Sequence, residues 1–252
     1  MVTYTYVVKI SFVIPAYNEE ALIGKCLASV LREIRASRAD AEVIVVNNAS
    51  TDQTRDVALS YPGVRVVDEI HKGITWARQA GFEASSGDLI ANIDADTMLT
   101  PGWIDTVLAS FTHEDIIALS GPYLYYDLPI FTRALVRMFY LMGYCMHIFN
   151  QHVLHTGAML QGGNFVLRRD ALECVGGFDT SITFYGEDTD IARRMSKVGR
   201  IKWTFALPLY TSGRRLHEEG VWWTAWRYTI NFLATSYRAK QVAYAPSDIR
   251  HT

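Results

Sequence analysis

The sequence has 252 residues, of which half are hydrophobic and a fifth are charged, so the chain can bury a sizeable core and is not disordered. Its 24 Lys and Arg residues against 26 Asp and Glu exclude a general nucleic-acid binder, which needs a basic excess to meet phosphates. Cys26, Cys145 and Cys174 are widely spaced, odd in number and form no C-x-x-C pair, so they indicate neither a zinc knuckle nor a disulfide framework.

We expect a protein of a reducing, cytoplasmic compartment. Residues 1–9 are polar and aromatic, which does not fit a signal peptide. The most hydrophobic segment, Leu128–Phe149, contains Arg133 and Arg137, and two arginines in mid-segment are costly in a membrane-spanning helix. We therefore predict no transmembrane span.

The first half of the chain alternates short apolar runs with segments of helical periodicity. The predicted strands are Ile10–Ile14, Val43–Val46, Val64–Val67 and Leu89–Ile93, and the predicted helices run from Leu22 to Ile34, from Ser50 or Thr51 to Leu59, and from Ile74 to Ala84. Continuously apolar strands separated by helices are typical of a parallel sheet covered on both faces. This pattern predicts the α/β class, with a Rossmann-like nucleotide-binding half at residues 1–97.

The second half is less regular, and no linker separates it from the first. Its predicted elements are a strand Ile116–Tyr126, a long helix from Leu128 to about Val153, a strand Phe165–Leu167, a helix Glu187–Val198, a strand Ile201–Leu207 and an amphipathic helix Val221–Lys240. We predict one domain over residues 1–252, with residues 98–252 as the acceptor-binding and catalytic half.

Both long helices of the second half have alternative interpretations. The Leu128 helix is apolar nearly all round and is predicted to be a core helix, although its methionines could also adapt to a partner. The last helix combines a stripe of tryptophans with basic residues, so it either packs on the sheet or lies on a membrane surface.

Polar clusters follow three of the predicted strands, at residues 15–20, 47–52 and 94–96. The carboxyl ends of parallel strands share one edge of a sheet, where ligands usually bind. Asp94 and Asp96 stand at i and i+2, so in an extended segment they point to one side. Two carboxylates this close favour a divalent cation between them, although a helix cap and a solvated turn would also explain them.

Seven motifs stand in order along the chain. They are FVIPAYNEE (Phe12–Glu20), VVNNASTDQT (Val45–Thr54), ARQAG (Ala77–Gly81), GDLIANIDAD (Gly87–Asp96), GGNFVLRR (Gly162–Arg169), GGFD (Gly176–Asp179) and EDTDI (Glu187–Ile191). From about Ile10 to Arg215, the sequence resembles the family 2 nucleotide-sugar glycosyltransferases. The resemblance implies a GT-A fold, with a mostly parallel central sheet flanked by helices.

The resemblance also implies a role for individual residues. The nucleotide pocket would be lined by Pro15, Ala16, Tyr17 and Glu19, and Asn47 would contact the base. Arg78 would approach the diphosphate, and Asp94 would face the ribose and the ion. Asp96 would hold Mn²⁺ or Mg²⁺, and Asp188 would be the catalytic base. The loop around Arg214 and Arg215 would clamp phosphate oxygens, and His217 would be a third metal ligand; an ordinary basic loop is the alternative.

Two features bear on the kind of transfer. Asn47 and Asn48 replace the Asp-Asp or Asp-Asn that the family usually carries, which leaves the nucleotide base open. The Gln-x-x-Arg-Trp motif of processive members is absent. We therefore expect an inverting, non-processive transferase that moves a sugar from a nucleoside-diphosphate sugar, UDP-linked by preference, to a hydroxyl of a glycan, glycolipid or lipid-linked acceptor. A catalytically silent binding protein on the same scaffold and a sugar nucleotidyltransferase are the alternatives, and a peripheral contact with the inner face of the membrane stays open.

Overall fold

The structure is a computed structural model that describes residues 7–149, 159–182, 186–214, 216 and 220. The predicted helix Val221–Lys240, together with Arg215 and His217, lies outside the described residues. Within them the strands are β1 (Ile10–Ala16), β2 (Ala41–Asn48), β3 (Val64–Glu69), β4 (Leu89–Ile93), β5 (Thr97–Leu99), β6 (Ile116–Ser120), β7 (Tyr123–Tyr125), β8 (Asn164–Arg168), β9 (Arg200–Trp203) and β10 (Leu209–Thr211). The helices are α1 (Ile23–Ser37), α2 (Thr54–Leu59), α3 (Ile74–Ala84), α4 (Trp103–Ser110), α5 (Ile130–Phe149), α6 (Arg169–Cys174) and α7 (Glu187–Met195).

Seven strands form the central sheet, in the order β3-β2-β1-β4-β8-β6-β9. Neighbouring strands are parallel except at β8, which is antiparallel to both β4 and β6. A smaller sheet in the order β5-β10-β7 lies beyond the end of β4. The predicted α/β class with a mostly parallel central sheet is confirmed.

Helices cover both faces of the central sheet, as its apolar strands require. Phe12 and Ile14 of β1 pack in one core with α1 and α4, whereas Val13 points to the other face, in a core with α3, α6 and α7. Pro15 lies inside β1, where the sequence predicts the strand to end. It pairs only with β2, because the pairing of β1 with β4 stops at Val13, so its missing N–H interrupts no ladder on the second side.

Several predicted boundaries are wrong, and the single strand Ile116–Tyr126 is the clearest case. It is two strands in two different sheets, β6 and β7, separated at Gly121 and Pro122. A Cβ on Gly121 would lie 2.0 Å from the carbonyl oxygen of Leu207, so the chain turns at a point where only glycine fits. Similarly, α2 begins at Thr54 rather than after Ser50 or Thr51, because the carboxylate of Asp52 accepts the Thr54 N–H at 3.0 Å.

The prediction that the Leu128 helix is a core helix is also wrong. Much of α5 is exposed, including Phe131 at 80% and Met142 at 60%. No helix among the described residues is long and apolar enough to cross a bilayer.

Candidate active site

The loops that follow β1 and β2 are tied together at the carboxyl edge of the sheet. The backbone N–H of Thr51 donates to Oδ1 of Asn18 at 2.8 Å, and the backbone N–H of Glu19 donates to Oγ1 of Thr54 at 2.8 Å. These bonds satisfy backbone groups that the strand ends leave unpaired. The structure thus brings together the polar clusters that the sequence predicts to meet.

Asp94 and Asp96 follow β4 at the same edge, and each contacts a different arginine. Asp94 Oδ1 lies 3.7 Å from Arg78 Nη2, and Asp96 Oδ2 lies 3.4 Å from Arg214 Nη2. Both carboxylates are partly exposed, at 35% and 28% of their side chains. When no cation is bound, the two guanidinium groups offset the repulsion between the carboxylates of Asp94 and Asp96.

Arg214 connects the loop after β10 to the loop after β1. Its Nη2 donates to Oε1 of Glu19 at 3.1 Å as well as to Asp96. Glu19 is buried, so its carboxylate depends on this contact for compensation. The arginine that the sequence predicts to clamp phosphate therefore stands beside the predicted cation ligand.

Arg78, on α3, is one of the most buried charged side chains, with 2% of it exposed. Its Nη1 lies 3.3 Å from Glu187 Oε1, and its guanidinium carbon lies 5.0 Å from the centre of the Phe165 ring. The structure places Arg78 behind the carboxylates rather than at an open surface.

The Glu187-Asp188 pair opens α7, directly after Gly186, which has a φ of 89°. Burial, followed by repulsion from Asp188, raises the pKa of Glu187 to about 7. Burial also raises the pKa of Asp188, against the opposing charge of Arg78 and the Thr189 N–H that donates to its Oδ1 at 2.7 Å. A carboxyl group with a raised pKa can take up a proton near neutral pH.

The turn Gly162-Gly163 passes between the two groups of carboxylates. A Cβ on Gly163 would lie 2.0 Å from the Asp94 carboxyl group, and one on Gly162 would lie 3.4 Å from Asp188 Oδ2. Gly163 has a φ of 73°, and its carbonyl accepts the Asp94 N–H at 3.3 Å. The turn therefore sets the spacing between the predicted donor side and the predicted base.

Tyr123 is a site residue that the sequence analysis did not select. Its hydroxyl lies 3.1 Å from Asp94 Oδ2 and also contacts the Gly162 carbonyl, so it fixes the Asp94 carboxylate against the glycine turn. One tyrosine in a short strand carries no sequence signal of this contact. Only the tertiary structure brings β7 next to β4.

The predicted nucleotide pocket lies at the ends of β1 and β2. Pro15 and Ala16 are buried, and Tyr17 accepts a hydrogen bond from Lys72 Nζ at 2.8 Å, with the ammonium 4.4 Å from the ring centre. Asn47 donates through Nδ2 to Asp68 Oδ1 at 2.8 Å, in register on β3. A carboxylate thus stands beside Asn47, although not at the position where the family carries its aspartate.

The charge at this edge favours a bound cation. Five carboxyl groups and two guanidinium groups gather in the described part of the chain, namely Glu19, Asp94, Asp96, Glu187 and Asp188 with Arg78 and Arg214. An anionic diphosphate would be repelled by this surplus without a cation.

No group of three His, Cys, Asp or Glu side chains that could hold a metal occurs among the described residues, which do not include His217. Mg²⁺ and similar ions are commonly held by one or two carboxylates together with substrate phosphates. The hard oxygen donors of Asp94 and Asp96 fit that arrangement.

Comparisons with known proteins identify the family of this chain. The sequence pattern of glycosyl transferase family 2 matches residues 11–176, which is more than half of the chain. Probable glycosyltransferase YdaM of Bacillus subtilis (strain 168) is 27% identical, and the match covers 92% of this chain and 59% of that protein. Validoxylamine A glucosyltransferase of Streptomyces hygroscopicus subsp. limoneus is 33% identical over 111 residues, which are 42% of this chain and 24% of that protein. The chain spans less than two thirds of the length of these curated relatives.

Solved structures show the same fold. The mannosyltransferase PcManGT from Pyrobaculum calidifontis, in complex with GDP-Man and Mn²⁺, superposes with a TM-score of 0.70 at 21% identity, covering 96% of this chain and 67% of that chain. Glucosyl-3-phosphoglycerate synthase from Mycobacterium tuberculosis, in complex with Mn²⁺, UDP-Glc and phosphoglyceric acid, gives 0.59 at 23% identity, with 90% and 79% covered. The expected GT-A fold is confirmed.

Proposed function

The chain belongs to glycosyl transferase family 2, and we propose that it transfers one sugar from a nucleoside-diphosphate sugar to an acceptor hydroxyl, with inversion at the anomeric carbon. The observation that carries the proposal is the placement of Asp188 and Asp94 on the two sides of the Gly162-Gly163 turn. This turn holds a candidate base close to the carboxylates that would meet a donor.

Asp94 and Asp96 would hold Mn²⁺ or Mg²⁺, and His217 is proposed as a further ligand. The bound ion would neutralise charge on the donor diphosphate, which the carboxylates at this edge cannot do without a cation. Arg214 already lies against Asp96, so it can move to the phosphate oxygens when a cation takes its place, and Arg215 is proposed to assist it.

Asp188 is proposed as the general base. Its carboxylate would accept the proton of the acceptor hydroxyl while the hydroxyl oxygen forms a bond to the anomeric carbon. On the opposite side of that carbon, the bond to the diphosphate oxygen breaks and the nucleoside diphosphate leaves with the electron pair. Attack opposite the leaving group inverts the configuration. Glu187 and Arg78 would hold Asp188 and Asp94 in place from behind.

The donor is proposed to be a UDP-sugar. Tyr17 offers a ring next to the end of β1, and Asn47 has its amide nitrogen committed to Asp68, which leaves its carbonyl oxygen as the acceptor. Uracil presents its ring N3–H to such an acceptor, whereas ring N3 of cytosine carries no hydrogen and is itself an acceptor. Pro15 and Ala16 would form the floor of this pocket, and Glu19 would fix Arg214 at its rim.

We also propose that transfer is non-processive, with a glycan, glycolipid or lipid-linked hydroxyl as acceptor, and that residues 1–97 and 98–252 supply the donor and acceptor sides of one domain. The motif associated with processive members is absent from the sequence, which supports single transfer.

The first test is binding of the nucleotide. Thermal unfolding would be followed with UDP, GDP, TDP and CDP, each with and without Mn²⁺, because a ligand that binds only the folded state raises Tm. We expect UDP with Mn²⁺ to raise Tm, and the Asp96→Ala variant to lose the response. Equal Tm with every nucleotide would contradict the proposal and favour a binding protein without a donor.

The second test is stereochemistry. Slow hydrolysis of an α-linked UDP-sugar, followed by proton NMR, should first release the β-anomer. Initial release of the α-anomer would contradict the inverting mechanism while leaving donor binding intact.

A further inference from the structure

Helix α5 exposes a continuous apolar surface along its whole length. We call it the α5 stripe; it consists of Phe131, Ala134, Met138, Leu141, Met142, Cys145 and Phe149. These positions recur at the 3- and 4-residue spacing that puts side chains on one face of a helix. The helix has 20 residues, so the stripe extends over about 30 Å. The surfaces of soluble proteins rarely expose a contiguous apolar patch of this length unless a partner binds it.

The opposite face of α5 is the one that packs on the protein. Tyr140 stacks on Trp203 with ring centres 6.0 Å apart, and Tyr144 contacts the same ring at a tilt with centres 5.7 Å apart. The buried His147 accepts the Met159 N–H through Nδ1 at 3.2 Å. The α5 stripe therefore faces outward because the helix is fixed from behind, and no rotation of the helix would bury it without breaking these contacts.

Helix α5 carries basic side chains and no acidic ones. Arg137 is exposed at one edge of the stripe, Arg133 is exposed one turn before it, and the sequence of α5 contains no aspartate or glutamate. Arg133 also donates to the carbonyls of Leu128 and Tyr126, which holds its charge at the N-terminal end of the helix. An apolar face bordered by arginines is typical of helices that lie in the interface of anionic membranes.

The α5 stripe is connected to the candidate active site through Tyr140. The hydroxyl of Tyr140 accepts the backbone N–H of Tyr123 at 3.1 Å and also contacts Gln161 Oε1 at 3.1 Å. Tyr123 in turn contacts Asp94, and Gln161 precedes the glycine turn beside Asp188. A surface that binds the stripe is therefore held beside the elements that position Asp94 and the glycine turn.

We propose that the α5 stripe lies on the surface of an anionic lipid bilayer, with Phe131, Met138 and Met142 inserted among the acyl chains and Arg137 at the lipid phosphates. An exposed apolar helix face with arginines and no acidic residues on the same helix suits an anionic bilayer. This docking goes beyond the proposed transfer reaction. Joined to it, docking would place the acceptor hydroxyl at the membrane surface.

The test uses two native cysteines of the full chain. Cys145 lies in the α5 stripe and Cys174 lies at the end of α6, and both are exposed, whereas Cys26 is buried. An environment-sensitive fluorophore would be attached to Cys145 in a Cys174→Ser variant and to Cys174 in a Cys145→Ser variant. With phosphatidylcholine–phosphatidylglycerol vesicles, we expect a blue shift from the Cys145 label only. An unshifted Cys145 label, or equal shifts from both labels, would overturn the proposal.

Sedimentation with the same vesicles gives an independent measurement. We expect the Met138→Glu, Met142→Glu double variant to bind at least about tenfold more weakly than the wild type, because each inserted apolar side chain becomes charged. Val198→Glu, at an exposed apolar residue away from α5, should bind as the wild type does. Equal binding of the double variant would overturn the proposal.

Two other occupants predict different results. If residues 221–252 of the chain cover the stripe, the wild type stays in the supernatant and the double variant unfolds at lower urea concentration than Val198→Glu. If a second copy covers it, the wild type is a dimer without vesicles and the double variant is a monomer. Either result would overturn docking on lipid. Nucleotide binding measured by thermal shift is unaffected in both cases, which separates failure of this proposal from failure of the proposed function.

Discussion

Nη1 of Arg78 lies 3.3 Å from Oε1 of Glu187, so a residue of α3 in the nucleotide-side half contacts the first residue of the helix that carries the proposed base. The same guanidinium reaches Asp94, which makes it the contact between the two sets of carboxylates. Because Arg78 is almost fully buried, its charge depends on these two carboxylates for compensation.

Replacing Arg78 should therefore destabilise the whole protein. We expect Arg78→Met to lower the free energy of unfolding by about 3 to 5 kcal/mol, as found when one partner of a buried ion pair is removed. Urea denaturation checks this value. Arg55→Met, which breaks an exposed pair with Asp68, is the control and should cost about 1 kcal/mol or less. Equal losses in both variants would contradict the role given to Arg78.

Asp188→Asn should abolish turnover without weakening nucleotide binding. Loss of a general base typically lowers the rate by about 10² to 10⁴-fold, while groups that contact the diphosphate stay in place. Donor hydrolysis and thermal shift with UDP and Mn²⁺ measure the two effects separately. Asp105→Asn, in the first turn of α4, is a matched helix-start control and should keep full activity. Unchanged turnover in Asp188→Asn would remove the base assignment.

Alanine at Gly163 should be far more harmful than alanine at Gly102, although both glycines have a positive φ. At Gly102 nothing lies within 4 Å of the added Cβ, so only the backbone conformation costs free energy, about 1 to 2 kcal/mol. At Gly163 the Cβ would overlap the Asp94 carboxyl group. We expect Gly163→Ala to lose the metal-dependent Tm shift with UDP and Gly102→Ala to keep it. The same shift in both variants would show that the turn does not set the position of Asp94.

Stability should fall as the pH rises through the range in which Glu187 ionises. Its pKa is about 7 in the folded protein against an ordinary 4.5, so the folded state binds more protons between these values. The neutral carboxyl group makes its full contribution to the free energy of unfolding below about pH 4.5, and this contribution is lost by the time the pH passes 7. Between about pH 5 and pH 8, the wild type should lose on the order of 2 kcal/mol more than Glu187→Gln. Parallel curves for the two proteins in urea denaturation would contradict the raised pKa.

Asn47→Asp together with Asp68→Asn should cost less free energy of unfolding than the sum of the two single changes, although Asp68→Asn also weakens the ion pair with Arg55. Asn47→Asp alone places a second carboxylate 2.8 Å from Asp68 Oδ1, and two carboxylates so close repel unless they share a proton. In the double variant the hydrogen bond forms again with its donor and acceptor exchanged. A double-mutant cycle of unfolding free energies should give a coupling of about 1 to 3 kcal/mol. Additive effects would show that the pair is not coupled.

The sequence predicts the sheet better than the surroundings of the site. The bounds of β4 and α3 agree with the prediction, since continuous burial and helical periodicity are local signals. The convergence of the polar clusters follows from parallel topology alone. The separation of β6 from β7 could not be predicted in the same way, because it results from a contact between Gly121 and Leu207, distant in sequence.

The error at α5 has a different cause. Apolar spacing shows which side chains share a face, but it does not show whether another element covers that face. The sequence of α5 fits a buried helix and an exposed one equally well, and only the position of Tyr140 and His147 against the sheet decides which face is fixed. The contacts of Tyr123 with Asp94 and of Arg78 with Glu187 were likewise beyond prediction, because each joins residues from distant elements.

The position of β8 between β4 and β6 has a consequence for the order of folding. During synthesis, β1 to β4 can pair as soon as Ile93 is available, but the open edge of β4 waits for a strand that begins only at Asn164. Strand β6 is made earlier than β8, yet its partners in the sheet are β8 and β9. Long-range pairing of this kind slows folding and leaves edges exposed meanwhile. Because the Gly162-Gly163 turn leads directly into β8, the pairing of β8 with β4 also brings this turn against Asp94.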